Sequence, residues 1–153
     1  MTELTGVNEI KCSMDKLEKY APWFVEGVKD GNIVVEDAVV DIMLNEFLWL
    51  SGTWLDGTWE KGTWDNGTWN NGTWKSGIWE YGFWKGGTWE NGTWEKGAWE
   101  NGTWKGGIWL DGVWLDGYWE KGTWKNGTWK NGSWVKGFFN GNIHTDPPNK
   151  WEK

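Results

Sequence analysis

The sequence contains no arginine, so all of its side-chain positive charge is carried by lysine. Recognition of phosphate or guanine through the planar guanidinium fork is therefore closed to it. Cys12 is the sole cysteine, which excludes an intrachain disulfide and a cysteine-based metal centre. His144 is the sole histidine and lies near Pro147 and Pro148; no Ser-His-Asp or Cys-His constellation assembles around it. There is no HExxH and no phosphate-binding loop, because every glycine-rich match is explained by a repeat. No catalytic residue, metal site or cofactor is expected, and the chain reads as a non-enzyme. The apolar runs are too short and interrupted to span a bilayer. The opening Met-Thr-Glu-Leu-Thr-Gly lacks the charged and apolar regions of a signal peptide. The expected placement is a reducing cytoplasm, with no membrane, nucleic-acid or small-molecule partner.

What is present in excess is tryptophan. Of 20 tryptophans, all but Trp23 and Trp151 stand at strict five-residue spacing from Trp49 to Trp134, and Phe139 continues the register. From Trp54 onward a glycine precedes each by two places, giving Gly-Thr-Trp-x-x repeatedly. Such self-similarity decides the architecture before any local reading. Charge is uneven: residues 1–50 hold ten acids and four lysines (balance -6), whereas residues 51–137 hold ten acids and nine lysines (balance -1).

Around the repeat the chain divides into four segments. In residues 1–31, Ser13 caps a short helix reaching Tyr20, Pro22 opens a second helix, and Asp30-Gly31 ends it. Residues 32–50 are rich in Val, Ile and Leu. Counting back in fives from Trp49 reaches Leu44, Val39 and Val34, so this segment reads as a degenerate first coil that caps the array. Residues 51–141 form the repeat proper, and residues 142–153 read as a polar, extended tail.

A five-residue beat fits two architectures. One is an antiparallel meander, in which Asn91-Gly92 and its equivalents make hairpin turns; the string Trp89-Glu90-Asn91-Gly92-Thr93-Trp94 resembles tryptophan-zipper hairpins. The other is a square coil of four pentads, in which Gly57 and Trp59 take the inward positions. That pattern resembles the pentapeptide-repeat family, which implies an all-β, right-handed quadrilateral β-solenoid. A period of twenty favours the coil: Glu60, Glu80, Glu100 and Glu120 follow tryptophans twenty residues apart, and Thr is replaced mainly in the column Thr58, Ile78, Ala98, Tyr118, Phe138. Four tryptophan ladders then fill the interior, since that many surface indoles would form an apolar patch no soluble monomer tolerates.

This geometry directs attention to one face. Ile78, Tyr118 and Phe138 stack there, with Leu55, Leu115 and Val135 around the corner and Leu110 and Val113 extending the cluster. The Glu60, Glu80, Glu100 and Glu120 ladder runs beside them and needs neutralising by lysines, water or a basic partner. Either the N-terminal helices cover this apolar edge, or a second copy or protein partner does.

The expected function is a non-catalytic structural or protein-interaction solenoid. Tryptophan-pentad arrays of this kind resemble reading frames of phage genomes, which implies a virion accessory component as a setting. Two alternatives remain. Some pentapeptide-repeat proteins mimic DNA and occupy type II topoisomerases, although the near-neutral array fits that poorly. Stacked Thr53, Thr73 and Thr93 point to ice or glycan recognition, interrupted by neighbouring lysines and glutamates.

Overall fold

The computed structural model describes residues 4–151. A β-solenoid dominates it, and the tryptophans are its core: those from Trp49 to Trp119 are all 0% exposed. After β1 (Val7–Ile10), α1 (Met14–Tyr20), α2 (Pro22–Asp30), β2 (Val34–Met43) and β3 (Glu46–Asp56), the chain makes two-residue strands, β4 to β19, from Thr58–Trp59 to Ser133–Trp134. These strands pair in parallel. That rules out the meander, whose strands would alternate in direction.

The pairing step is fifteen residues. Trp49 pairs with Trp64, Trp54 with Trp69 and Trp59 with Trp74, and the offset persists to Trp119 and Trp134. A coil is therefore three pentads, and the expected quadrilateral section is corrected to a triangular one with three tryptophan ladders. Glycine supplies the physical reason. In a square coil both inward positions of each pentad carry a side chain, but here one of the two is only a hydrogen. Four sides with a single interior side chain each would leave a void, and protein interiors do not keep large voids. Removing one side closes the section onto three indoles per level.

The sharper corner also needs glycine. The corner glycines from Gly52 to Gly132 hold φ between 103° and 135°, a region that L side chains rarely adopt. At Gly92 a Cβ would also sit 2.3 Å from the carbonyl oxygen of Gly77 on the coil below. Several corners are tied further by Asp or Asn. The Oδ1 atoms of Asp56, Asn101 and Asp116 accept from the N–H of the glycine that follows each, which gives that corner N–H a local partner.

Within a ladder the indoles stack face to face, as Trp79 and Trp94 do at 4.8 Å and 5° from parallel. Around the coil successive indoles meet edge to face, as Trp79 and Trp84 do at 5.8 Å and 71°. Both geometries suit the aromatic quadrupole and add about 0.5–1.5 kcal/mol per pair beyond area burial. The expected corner acceptors for the indole N–H are present in part: Trp59, Trp89 and Trp119 donate to the carbonyls of Ser76, Gly106 and Lys136, seventeen residues ahead. Trp49, Trp84 and Trp99 are among those whose Nε1 finds no acceptor among the described residues.

The base of the prism differs from its expected form. Instead of a degenerate coil, residues 32–50 contribute β2 and the first part of β3, paired as an antiparallel hairpin with Leu44 and Asn45 at positive φ. The period here is two: Val35, Val40, Ile42 and Phe47 are buried, while Val34 and Leu44, expected to face inward, are exposed. β1, whose residues carry little periodic signal, pairs in parallel with β2. The helices match their expected limits: Ser13 Oγ accepts from Lys16 N–H, Pro22 opens α2, and Gly31 closes it at φ 79°. Phe24 of α2 meets Phe47, Trp49 and Trp54, sealing the first level.

The far end is also capped. The segment read as an extended tail forms β21 (Asn142–His144), antiparallel to β20 (Gly137–Phe139), and then a 3-10 turn, Pro148–Lys150. Trp134 Nε1–H donates to the carbonyl of His144, and Trp151 packs on Trp134 and Phe139.

Candidate interaction surface

With the tryptophans inside, three outward positions per pentad remain: the residue before Gly, the residue before Trp and the residue after Trp. The fifteen-residue step regroups them. The face Thr58, Ile78, Ala98, Tyr118, Phe138 dissolves, because these residues stand on three different sides. The Glu ladder disperses likewise: Glu60 and Glu120 share one corner, Glu80 occupies a second and Glu100 a third. Thr53, Thr73 and Thr93 also fall in separate columns.

The true columns carry their own pattern. Glu60, Lys75, Glu90, Lys105 and Glu120 alternate in sign along one corner, and Lys75 Nζ lies 3.8 Å from Glu60 Oε2. Another corner holds Asp65, Glu80 and Glu95 on successive levels. Burial pushes the Glu80 carboxyl above its ordinary value; its hydrogen bond with Asp65 and the charges of Asp65 and Glu95 add to this.

One side differs from the other two. Its mid-face column follows the register Leu48–Thr63–Ile78–Thr93–Ile108–Thr123–Phe138, apolar on every second level. Ile143 of β21 lies opposite Phe138 and continues it. Ile78, Ile108, Phe138 and Ile143 are exposed. Among the described residues, this side alone is continued at both ends by cap strands, β2 below and β21 above. Ile108 and Ile143 were absent from the expected cluster; grouping the sequence in fifteens exposes Ile108, whereas Ile143 joins only through the terminal hairpin.

The remaining expected residues divide between sides and corners. Leu110 lies on the acidic corner of the apolar side, level with Ile108. Leu55 and Leu115 share a second corner with Glu100. Val135 ends the alternating-charge corner above Glu120. Val113 stands mid-face on another side above Phe83 and Ala98, and Tyr118 on the third side above four stacked threonines from Thr58 to Thr103. The helices do not cover any of these, since α2 packs under the first tryptophan level.

Along the edge of the apolar side opposite the acidic corner runs a groove of about 690 Å³. Gly106 and Gly107 form part of its wall, with Lys75, Lys105, Lys121 and Lys136 and one acid, Glu90, around it and Phe138 and Ile143 at one end. Gly106 does not hold a positive φ, and a Cβ there would meet nothing nearer than 3.4 Å. The backbone does not demand this glycine, and its effect is to leave the groove open.

Among the described residues, no group of three His, Cys, Asp or Glu converges on a metal-sized site, and no helix is long and apolar enough to cross a membrane. Comparison with family models, with curated proteins and with solved structures gave no match.

Proposed function

We propose that the protein is a non-catalytic interaction solenoid whose working surface is the side carrying Leu48, Ile78, Ile108 and Phe138. The observation that carries this reading is that, among the described residues, neither cap covers that column. Both caps extend the same sheet edge to edge, leaving its outer surface open from base to top. Exposed apolar side chains aligned on alternate levels of one open sheet face mark a candidate interaction surface. The groove edge carries Lys61, Lys75, Lys105, Lys121 and Lys136 against Glu60, Glu90 and Glu120, and the opposite corner carries Asp65, Glu80 and Glu95 against Lys125, a difference in net sign that favours an oriented contact. The pentapeptide-repeat resemblance and the virion setting bear on where such a module works, not on which surface it uses.

The test is covalent capture. A photo-crosslinking residue placed at Thr93, in the middle of the column, is expected to yield a defined adduct, and one placed at Thr88 on the Thr-rich side is expected not to. Equal, diffuse labelling from both positions counts against an interaction surface here.

A further inference from the structure

We infer that this surface pairs with a second copy of the same chain, side by side, about a two-fold axis parallel to the solenoid axis. The inference rests on the interaction reading above and names its partner. The argument is complementarity of shape and of the net charge of the two flanks. A two-fold parallel to the solenoid axis keeps levels in register and exchanges the flanks, so each acidic corner meets the partner's lysine-lined edge. Asp65 then faces Lys61 of the other copy, with Glu60 beside it, Glu80 faces Lys75, and Glu95 faces Glu90 and Asn91, the level at which like charges oppose the contact. One level above the Glu95 level, the apolar Leu110 meets the groove at Gly106, where the side chain is missing. Above that, Lys125 meets Glu120 and Lys121 of the other copy.

A two-fold perpendicular to the solenoid axis does the opposite. It sets acidic corner against acidic corner and groove against groove, leaving Leu110 without a recess. Like-charge contact across an interface disfavours that arrangement. In the parallel arrangement the mid-face column lies on the axis, so Ile78 and Ile108 each meet their own equivalents, as in an isologous interface.

The area is sufficient but not large. Seven levels at about 4.8 Å and a width of about 15 Å give roughly 450–500 Å² per copy, or about 1,000 Å² in total, the lower bound for a specific contact. A concentration-dependent dimer is therefore expected, in which Asp65 and Glu80, neighbours of like charge in one chain, gain lysine counter-charges in two.

Sedimentation velocity from about 1 to 200 μM is the measurement, since interfaces near this size dissociate in the micromolar range. Wild type is expected to move from monomer to dimer across that range. Ile108→Lys is expected to leave only monomer at every concentration, with its melting temperature unchanged. The decisive arm uses two charge variants. Glu80→Lys alone and Lys75→Glu alone are each expected to weaken the dimer at least about tenfold. Mixing the two chains is expected to restore association. The lysine introduced in one chain then meets the glutamate introduced in the other, and the native Glu80 and Lys75 that remain meet each other. A wild type that stays monomeric throughout, or a mixture that fails to associate, overturns the proposal. In the monomeric case, a Thr93 adduct with a different protein leaves the interaction reading standing with another occupant, whereas no adduct at all removes both.

Discussion

The two ends of the tryptophan prism solve one problem with unequal means. A stack of short parallel strands has a raw edge at each end, with unpaired backbone groups and an uncovered layer of indoles. Both ends block the edge with an antiparallel hairpin, β2–β3 below and β20–β21 above. The base adds two helices whose buried side chains, with Leu17, Phe24, Val25 and Phe47, extend the indole core, and its first indoles are sealed at 0% exposure. The top adds a 3-10 turn and Trp151, and exposure rises from 2% at Trp124 to 8% at Trp134. The base is a thick packed cap continuous with the indole core, whereas the top is a lid. Stability is therefore expected to decline from bottom to top.

The strongest way to break this comparison is to strike between the ends. Gly92→Ala forces a Cβ against the Gly77 carbonyl at an unfavourable φ and is expected to cost about 4 kcal/mol or more. If each coil depends mainly on its neighbours, hydrogen exchange should accelerate above the lesion before it does below. Uniform acceleration at both ends would show that the array unfolds as one unit.

Cap removal comes next. Phe24→Ala is expected to destabilise by about 3–5 kcal/mol, as for other buried phenylalanines, and to lower the denaturant midpoint of the whole chain. Trp151→Ala, at the partly covered lid, is expected to cost about 2 kcal/mol, seen mainly as faster exchange near Trp129 and Trp134. Equal effects of the two on global unfolding would contradict the asymmetry.

The hairpin tips sharpen the contrast at lower energy. The top turn is Asn140-Gly141, well suited to positive φ, whereas the base turn is Leu44-Asn45, with leucine at φ 52° and 95% exposed. Leu44→Asn is expected to stabilise the base by about 0.5–1 kcal/mol in thermal or urea melts. A loss of stability would mean that Leu44 makes contacts the free chain does not reveal.

The smallest effect belongs to the acidic corner. Because the folded state raises the Glu80 carboxyl above its unfolded value, its contribution is present at low pH. That contribution is lost as pH climbs from the unfolded value through the folded one. In dilute protein, Glu80→Gln is expected to flatten that decline and gain only about 0.3 kcal/mol at neutral pH, since the corner faces solvent. An unchanged stability profile between the two proteins would show that Asp65 and Glu95 are adequately screened.

The inward tryptophans and both helix limits were legible in the sequence, because each is fixed by local chemistry, whereas the glycines were read as inward-facing residues and the structure holds them at positive φ. The number of sides was not read correctly. Glu recurs every twenty residues by coincidence, while the physically stacked columns carry alternation, Glu60 with Lys75 and Thr63 with Ile78. Alternation looks like disorder when identity is the criterion sought. A cross-section is set by interior volume, and Gly57 in place of a small side chain was the clue that the interior is narrower. The candidate surface suffered in consequence: Ile78 and Phe138 share a side as expected, but Tyr118 and Glu100 belong elsewhere. The hairpin caps escaped because a strand of period two was read against a beat of five.

The parallel indoles also make the protein an optical object. Transition dipoles held face to face at 4.8 Å exchange excitation far faster than an isolated indole emits. Absorbed light therefore does not remain where it lands but migrates along three columns. The ladder that ends at Trp134, beside His144 and the outer aromatic lid, gives that migration an outlet whose surroundings differ from every level below. Emission colour should thus report the state of the few residues at the top, whereas near-ultraviolet dichroism, a property of absorption, reports the whole coupled stack.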